Sequence, residues 1–390
     1  MTILSHTLAH DLDTAPAPQR QPRRHAQQRL FRAASALALA GLVALMAGCA
    51  TEVAKEETRL VWPEPPELAR IEFIRTLKSD KDVGINETAS QSMLNFVAGV
   101  SSSTNTIFDP MGLAVSADGK RLYVADYTQL AVFGFDFEKK SFLKIGGPSA
   151  PLGGPMGVAL DGAGNIYVAE TFKKGVSVFD PTGKPLRFIT EPTMNRPVGL
   201  AIDIPRGKLY VADSGRVDSD EHSVKIFDLQ GKQLGKIGKQ IGSIEGSFLF
   251  PTFINVDATG NLYVADTLNS RVQMFDPDGK FVRVIGKRGT ALGQFDKPKG
   301  VAADSFGNIY VADAAWSNVQ MFNPKGQMLM FFAGRGTYPG LMQNPTAMTI
   351  DRNNRIYVSD ALNHRVNVYQ LVNTKAEDNQ APAEAAAPAK

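Results

Sequence analysis

A tetrapeptide, Tyr-Val-Ala-Asp, recurs along this 390-residue chain at intervals that constrain any fold it can adopt. It stands at Tyr123–Asp126, Tyr210–Asp213, Tyr263–Asp266 and Tyr310–Asp313, and in altered form at Tyr167–Glu170 and Tyr357–Asp360, where Glu170 replaces Asp and Ser359 replaces Ala. Successive tyrosines are 44, 43, 53, 47 and 47 residues apart. The clearest copy, residues 261–286, holds three short runs rich in Val, Ile, Tyr and Phe: Leu262–Asp266, Val272–Asp276 and Phe281–Gly286. Pro277-Asp278-Gly279-Lys280 separates the last two as a tight turn, Pro presetting φ and Gly accepting its positive value. With Pro251–Asp257 in front, each unit reads as a four-stranded antiparallel meander. Six such units at this period predict an all-β, six-bladed β-propeller. The strands lack polar/apolar alternation, as expected of sheets covered on both faces by neighbouring blades.

The sixth unit supplies Pro345–Asp351, Arg355–Asp360 and Arg365–Leu371 and then gives way to an Ala/Pro/Glu-rich stretch, residues 372–390, expected to be disordered. Its fourth strand is missing. Ile71–Leu77, a strand-like run with no repeat around it, is expected to fill that vacancy and close the ring, so that no sheet edge stays open. The propeller domain is therefore read as 71–371, and the charged, proline-rich residues 50–70 as a tether. Glu87–Val100 has the apolar spacing of a short amphipathic helix on the rim.

Pro-x-Gly-Val-Ala, then Asp-x-x-Gly-Asn-Ile/Leu-Tyr-Val-Ala-Asp, then Asn-x-Arg-Val-x-Met/Val-Phe resemble NHL repeats over residues 110–371. Copies 4 and 6 match best, through Asp266, Asn269 and Arg271 and through Asp360, Asn363 and Arg365. The resemblance implies a six-bladed propeller used as a binding scaffold; it does not fix one function. Some six-bladed relatives are enzymes, which gives an alternative: a metal-dependent enzyme resembling the peptidyl-hydroxyglycine amidating lyase, with zinc on three histidines, or a calcium-dependent lactonase. Beyond residue 49 the chain has two histidines, His222 and His364, too few for the three-histidine zinc site. The chain has no G-x-S-x-G, HExxH, P-loop or CxxC motif. The turn Asp161-Gly162-Ala163-Gly164-Asn165 lacks the carboxylates of a dedicated calcium loop. No cofactor, metal or catalytic residue is expected.

The first 49 residues read as an export signal. Five arginines precede the uncharged run Ala33–Gly48, which is short for a membrane span, and Met46-Ala47-Gly48-Cys49 resembles a bacterial lipobox. The expectation is a lipoprotein acylated at Cys49, the sole cysteine, on the periplasmic side of the outer membrane, with inner-membrane anchoring as the alternative. Of 42 basic and 39 acidic side chains, five and two fall in this leader, so the remainder carries 37 of each. That balance argues against nucleic acid as a ligand.

A carboxylate that recurs six times has a structural role: Asp266 is expected to accept backbone N–H groups in the turn between strands two and three, with Arg271 paired to a carboxylate nearby. Individuality should lie where copies differ. After the repeated Pro of the inner strand the copies read Met111, Met156, Val198, Thr252, Lys299 and Thr346, which makes Lys299 the one charge at the mouth of the channel. Copy 4 places Phe253 and Asn255, and copy 6 Ala347 and Thr349, where the other copies have Gly and Ala, so Asn255 is a polar group in an apolar wall. Loops between strands two and three add Tyr127, Phe172, Lys173, Lys174, Arg216, His222, Trp316 and His364. Loops between blades add Arg288, Arg335 and Tyr338. Together they form an aromatic, cationic rim on one face, suited to an envelope protein, a peptide or a glycan, on a propeller expected to be monomeric.

Overall fold

The computed structural model describes residues 59–84, 105–216, 221–238 and 240–375. The signal segment, Cys49, the helix over Glu87–Val100 and the tail from residue 376 lie outside them. No helix among the described residues is long and apolar enough to cross a membrane.

Six sheets of sequential antiparallel strands, here a to d from the inside out, make the six blades. Blade 1 is Pro110–Val115, Arg121–Asp126, Ala131–Asp136 and Ser141–Gly146; blade 4, holding the clearest repeat, is Pro251–Val256, Leu262–Asp266, Arg271–Phe275 and Phe281–Ile285. In blade 6, Ile71–Leu77 pairs antiparallel with Arg365–Leu371 from Ile71 opposite Leu371 to Leu77 opposite Val366, supplying strand d. The sheet then continues one strand further than the sequence suggests. Val61–Trp62 pairs on Ile71–Glu72, and the Trp62 ring lies 6.1 Å from Phe332 and 5.8 Å from Tyr369. Residues 59–70 thus run on the flank of the propeller, and the domain boundary expected at residue 71 falls too late. The closing segment brings in apolar surface as well as backbone hydrogen bonds.

The hydrophobic core lies between blades. Six clusters each join side chains of two adjacent sheets, such as Tyr210, Val224 and Phe248 with Val264 and Phe275 between blades 3 and 4. Blades 6 and 1 meet through Leu77, Val366 and Val368 against Leu122 and Phe133. Middle strands are consequently buried along their whole length, as at Leu122–Asp126 and Leu262–Asp266, because each carries a neighbour on both faces. Hydroxyls tie the blades near the axis: Thr171 Oγ1 donates to the Pro197 carbonyl (2.9 Å) and Thr267 Oγ1 to that of Pro298 (2.7 Å). Thr346 and Ser359 of blade 6 donate to the carbonyls of Pro110 and Met111 in blade 1, at 3.0 and 2.6 Å, completing the circle.

Glycine at the inner strand is required by the neighbouring backbone. A Cβ on Gly112 would stand 2.3 Å from the Met156 carbonyl oxygen, and one on Gly157 2.4 Å from that of Val198. Phe253 and Ala347 break the series, so the centre is not six-fold symmetric.

Candidate binding face

The first residue of each inner strand pairs with the last of strand b, Pro110 with Asp126 and Pro298 with Asp313 among them. Loops from b to c and from d to the next a therefore gather on one face, around one end of the axis. Immediately after the Pro, every inner strand has a register break, for example between Pro298 and Gly300 and between Pro251 and Ile254. Such a bulge leaves a residue unpaired and re-aims its side chain. Met111, Met156 and Val198, from three blades, accordingly pack together with Phe253 and Ala347 from two others, which is possible only at the axis.

Lys299 is the blade 5 member of this ring and is half-buried. Burial lowers the pKa of its ammonium, nearby Lys297 lowers it further, and Asp109 of blade 1 opposes both. Asp109 is held above the ordinary carboxylate range by burial and by Asp126, against the pull of its Thr128 hydrogen bond, His364 and Lys299.

The other sequence-predicted residues fall into separate groups on the loop face. Tyr127 and Phe172 meet edge to face at 5.9 Å across blades 1 and 2, beside Lys173, which is ion-paired with Glu170 at 2.7 Å. His364 stacks on Phe108 with ring centres 4.7 Å apart, and its Nδ1 contacts the Phe108 carbonyl across blades 6 and 1. Arg288 and Arg335, both exposed, occupy equivalent loops and each donate Nη2 at 2.8 Å to a carbonyl of the same blade's b–c loop, that of Leu268 and of Ala315. Trp316 and Tyr338 are 39% and 77% exposed in that sector. Arg216 is exposed on blade 3. His222 is buried, with Nδ1 accepting the Phe250 N–H at 2.9 Å, and serves the architecture. Asn255 lies outside the loop face, half-buried on the inner strand opposite Tyr263, and its side chain makes no hydrogen bond to a described residue.

Five further residues of this face were not singled out from the sequence: Phe108, Ile244, Leu268, Leu292 and Leu362 are all exposed large apolar side chains in the same loops. A signal was available. Two residues past the repeated carboxylate, copies 2, 4 and 6 carry Phe172, Leu268 and Leu362, where turn chemistry favours small or polar types.

The repeated carboxylates are consumed by the architecture, though not as expected in detail. Asp126 accepts the N–H groups of Phe108 and Asp109, Asp213 those of Asn195 and Arg196, Asp313 those of Asp296 and Lys297, and Asp360 those of Gln343 and Asn344. The donors lie mainly in the loop entering strand a, 16 to 18 residues earlier, rather than in the b–c turn. Arg271 pairs with Asp266 itself at 2.8 Å and donates to the carbonyls of Ser243, Ile244 and Ser247, fastening that loop. Blade 3 has Ser223 in place of this arginine. There the fully buried Lys225 takes over, 2.5 Å from Glu191 and 3.6 Å from Asp213. The Asp161 carboxylate is likewise occupied by the N–H groups of Ala163 and Asn165 and by Asn165 Nδ2. Among the described residues no group of three or more His, Cys, Asp or Glu is placed to hold a metal ion.

A family model for the SMP-30/gluconolactonase/LRE-like region matches residues 77–214. NHL-repeat-containing protein 4 of Mus musculus is 34% identical over 80 residues, 20% of this chain and 54% of that protein; its Homo sapiens counterpart is 31% identical over 75 residues, 19% and 55%. The chain thus spans about half the length of the curated relatives it matches. Among solved structures, a streptogramin B lyase superposes with a TM-score of 0.51 at 12% identity, over 68% of this chain and 94% of that one. A Bacteroides thetaiotaomicron protein of unknown function does so with 0.55 at 15% identity, over 70% and 71%. At such identities the likeness speaks to fold alone. Six sheets of four antiparallel strands, the last extended by a fifth, agree with the recurring motif and these matches: the chain is a six-bladed β-propeller whose repeats are similar to those of the NHL-repeat-containing proteins.

Proposed function

We propose that this propeller is a non-catalytic binding scaffold, held at a bacterial cell envelope by acylated Cys49, that presents its loop face to a protein with an acidic surface. The observation that carries the reading is the composition of that face. Eight large apolar side chains are exposed there: Phe108, Phe172, Ile244, Leu268, Leu292, Trp316, Tyr338 and Leu362. Between them stand the exposed cations Lys174, Arg196, Arg216, Lys287, Arg288, Lys297 and Arg335, whereas Glu245 is the one exposed carboxylate among the described residues of these loops. Apolar anchors within a single-sign field are what a protein interface needs for affinity and for steering.

The test is crosslinking and pull-down from membranes with wild type and with a variant carrying Arg288→Glu, Arg335→Glu and Trp316→Ala. A defined acidic partner retained by wild type, released by raised salt and lost with the triple variant supports the reading; equal retention by both sinks it. Glycan capture in place of protein would also overturn it. Anchoring is read separately, as incorporation of an alkynyl fatty acid that Cys49→Ala abolishes.

The family match over 77–214 favours a second reading, a metal-dependent enzyme of the gluconolactonase kind. Lactone hydrolysis dependent on near-stoichiometric bound metal would move that reading ahead of the scaffold.

A further inference from the structure

The six bulged residues around the axis divide by chemistry. Met111, Met156 and Val198 of blades 1 to 3 are apolar and pack in one cluster with Phe253 and Ala347. Opposite them, the hydroxyl of Thr346 is committed to the Pro110 carbonyl at 3.0 Å, and that of Thr252 to Thr267 Oγ1 at 2.7 Å. Lys299 is different. Its ammonium makes no hydrogen bond or ion pair to a described residue, although Lys297 and Asp109 act on it at longer range. A half-buried ammonium without a counter-ion in contact is unfavourable, and an anion that reaches it removes the penalty. The three charges here sum to about one positive, which matches a monoanion better than a phosphate dianion.

We propose that the loop-face end of the axis binds a carboxylate joined to an apolar group, the carboxylate on Lys299 and the apolar part against Met111, Met156 and Val198. The inference rests on the loop face being a binding surface and names the chemistry its centre takes. A polypeptide C-terminus with an apolar last residue and a free carboxylic acid share that chemistry.

The experiment is calorimetric titration of the soluble propeller with three probes: a short peptide ending in Ala-Leu with a free carboxylate, the same peptide amidated, and N-acetylleucine. The free-acid peptide should bind, and amidation should weaken it at least tenfold, on the order of one charge-assisted hydrogen bond. Lys299→Gln should cause a loss of similar size while Lys299→Arg retains binding. Met156→Gln should weaken the peptide ending in Leu more than one ending in Gly. Binding of N-acetylleucine as tight as the peptide assigns a free acid, and binding of the peptide alone assigns a chain end; both support the axial site. Equal binding of acid and amide, or an unchanged affinity in Lys299→Gln with the thermal melt intact, overturns it. No binding of any probe by a protein that still retains its acidic partner sinks the axial site and leaves the scaffold standing. Carboxylate binding without a partner does the reverse.

Discussion

At the scale of residues, a carboxylate at one repeat position does one job in six blades, with an arginine beside it in blades 4 and 6 and a lysine in blade 3. Asp266 has no exposed surface and accepts from the Leu249 N–H, Asn269, Arg271 and Gln273, so that one side chain joins strand b, strand c and the loop entering strand a. Asp266→Ala would leave the buried Arg271 guanidinium unpaired and orphan several donors, which predicts a loss of about 3–5 kcal/mol in denaturant unfolding. Asp276→Ala, which removes acceptors for two N–H groups of an exposed c–d turn, should cost about 1 kcal/mol. Equal losses would show that the interior carboxylate has no special place. The recurrence of Asp266 was enough to read it as structural, but not to locate its partners: periodicity says which residues repeat, not which loop folds back onto them. Lys225 was illegible for a related reason. A lysine inside a strand reads as exposed until the neighbouring loop, through Glu191, is seen to cover it.

At the scale of elements, the closing segment decides whether the ring holds. Ile71–Leu77 was legible because the last unit had three strands where the others had four, and a lone strand-like run stood in front. Val61–Trp62 was not, since a two-residue strand has no period and its tryptophan sits among prolines that read as a tether. Its contribution is in packing: Trp62 and Phe73 lie against Tyr369, which is fully buried and donates to the Gly340 carbonyl at 3.0 Å. Trp62→Ala should therefore destabilise by about 2 kcal/mol, less than a fully buried tryptophan because the ring is half-exposed. Removing everything before Lys78 should do more. It bares the edge of Arg365–Leu371 and opens the apolar face of blade 6, so the truncated protein should self-associate with concentration in sizing experiments. A synthetic peptide of residues 59–77 should return it to the monomer; a truncated protein that stays monomeric and melts like the parent would refute this account of closure.

For the whole molecule, the consequence of placing every core between two blades is that no blade possesses one alone, so the ring should unfold as a unit. The repeat tyrosines Tyr123, Tyr167, Tyr210, Tyr263, Tyr310 and Tyr357, with Tyr369, offer a way to see this. Burial raises the pKa of all seven. In five of them the aspartate at the a–b hairpin adds to the effect, as where Tyr310 donates to Asp304 at 2.9 Å. A phenol whose folded pKa stands above its unfolded value of about 10 contributes stability that is complete below that value and is lost as pH rises beyond it. Seven such groups distributed around the ring should make alkaline unfolding steep. The near-ultraviolet phenolate absorbance of the interior tyrosines should then rise in the same step in which the sheet circular dichroism disappears. Tyr310→Phe, at a cost of about 1 kcal/mol near neutrality for the lost hydrogen bond, should move that midpoint to higher pH. If the interior tyrosines instead ionise one after another while the sheet signal persists, the blades open independently, and shared cores do not make the propeller one cooperative body.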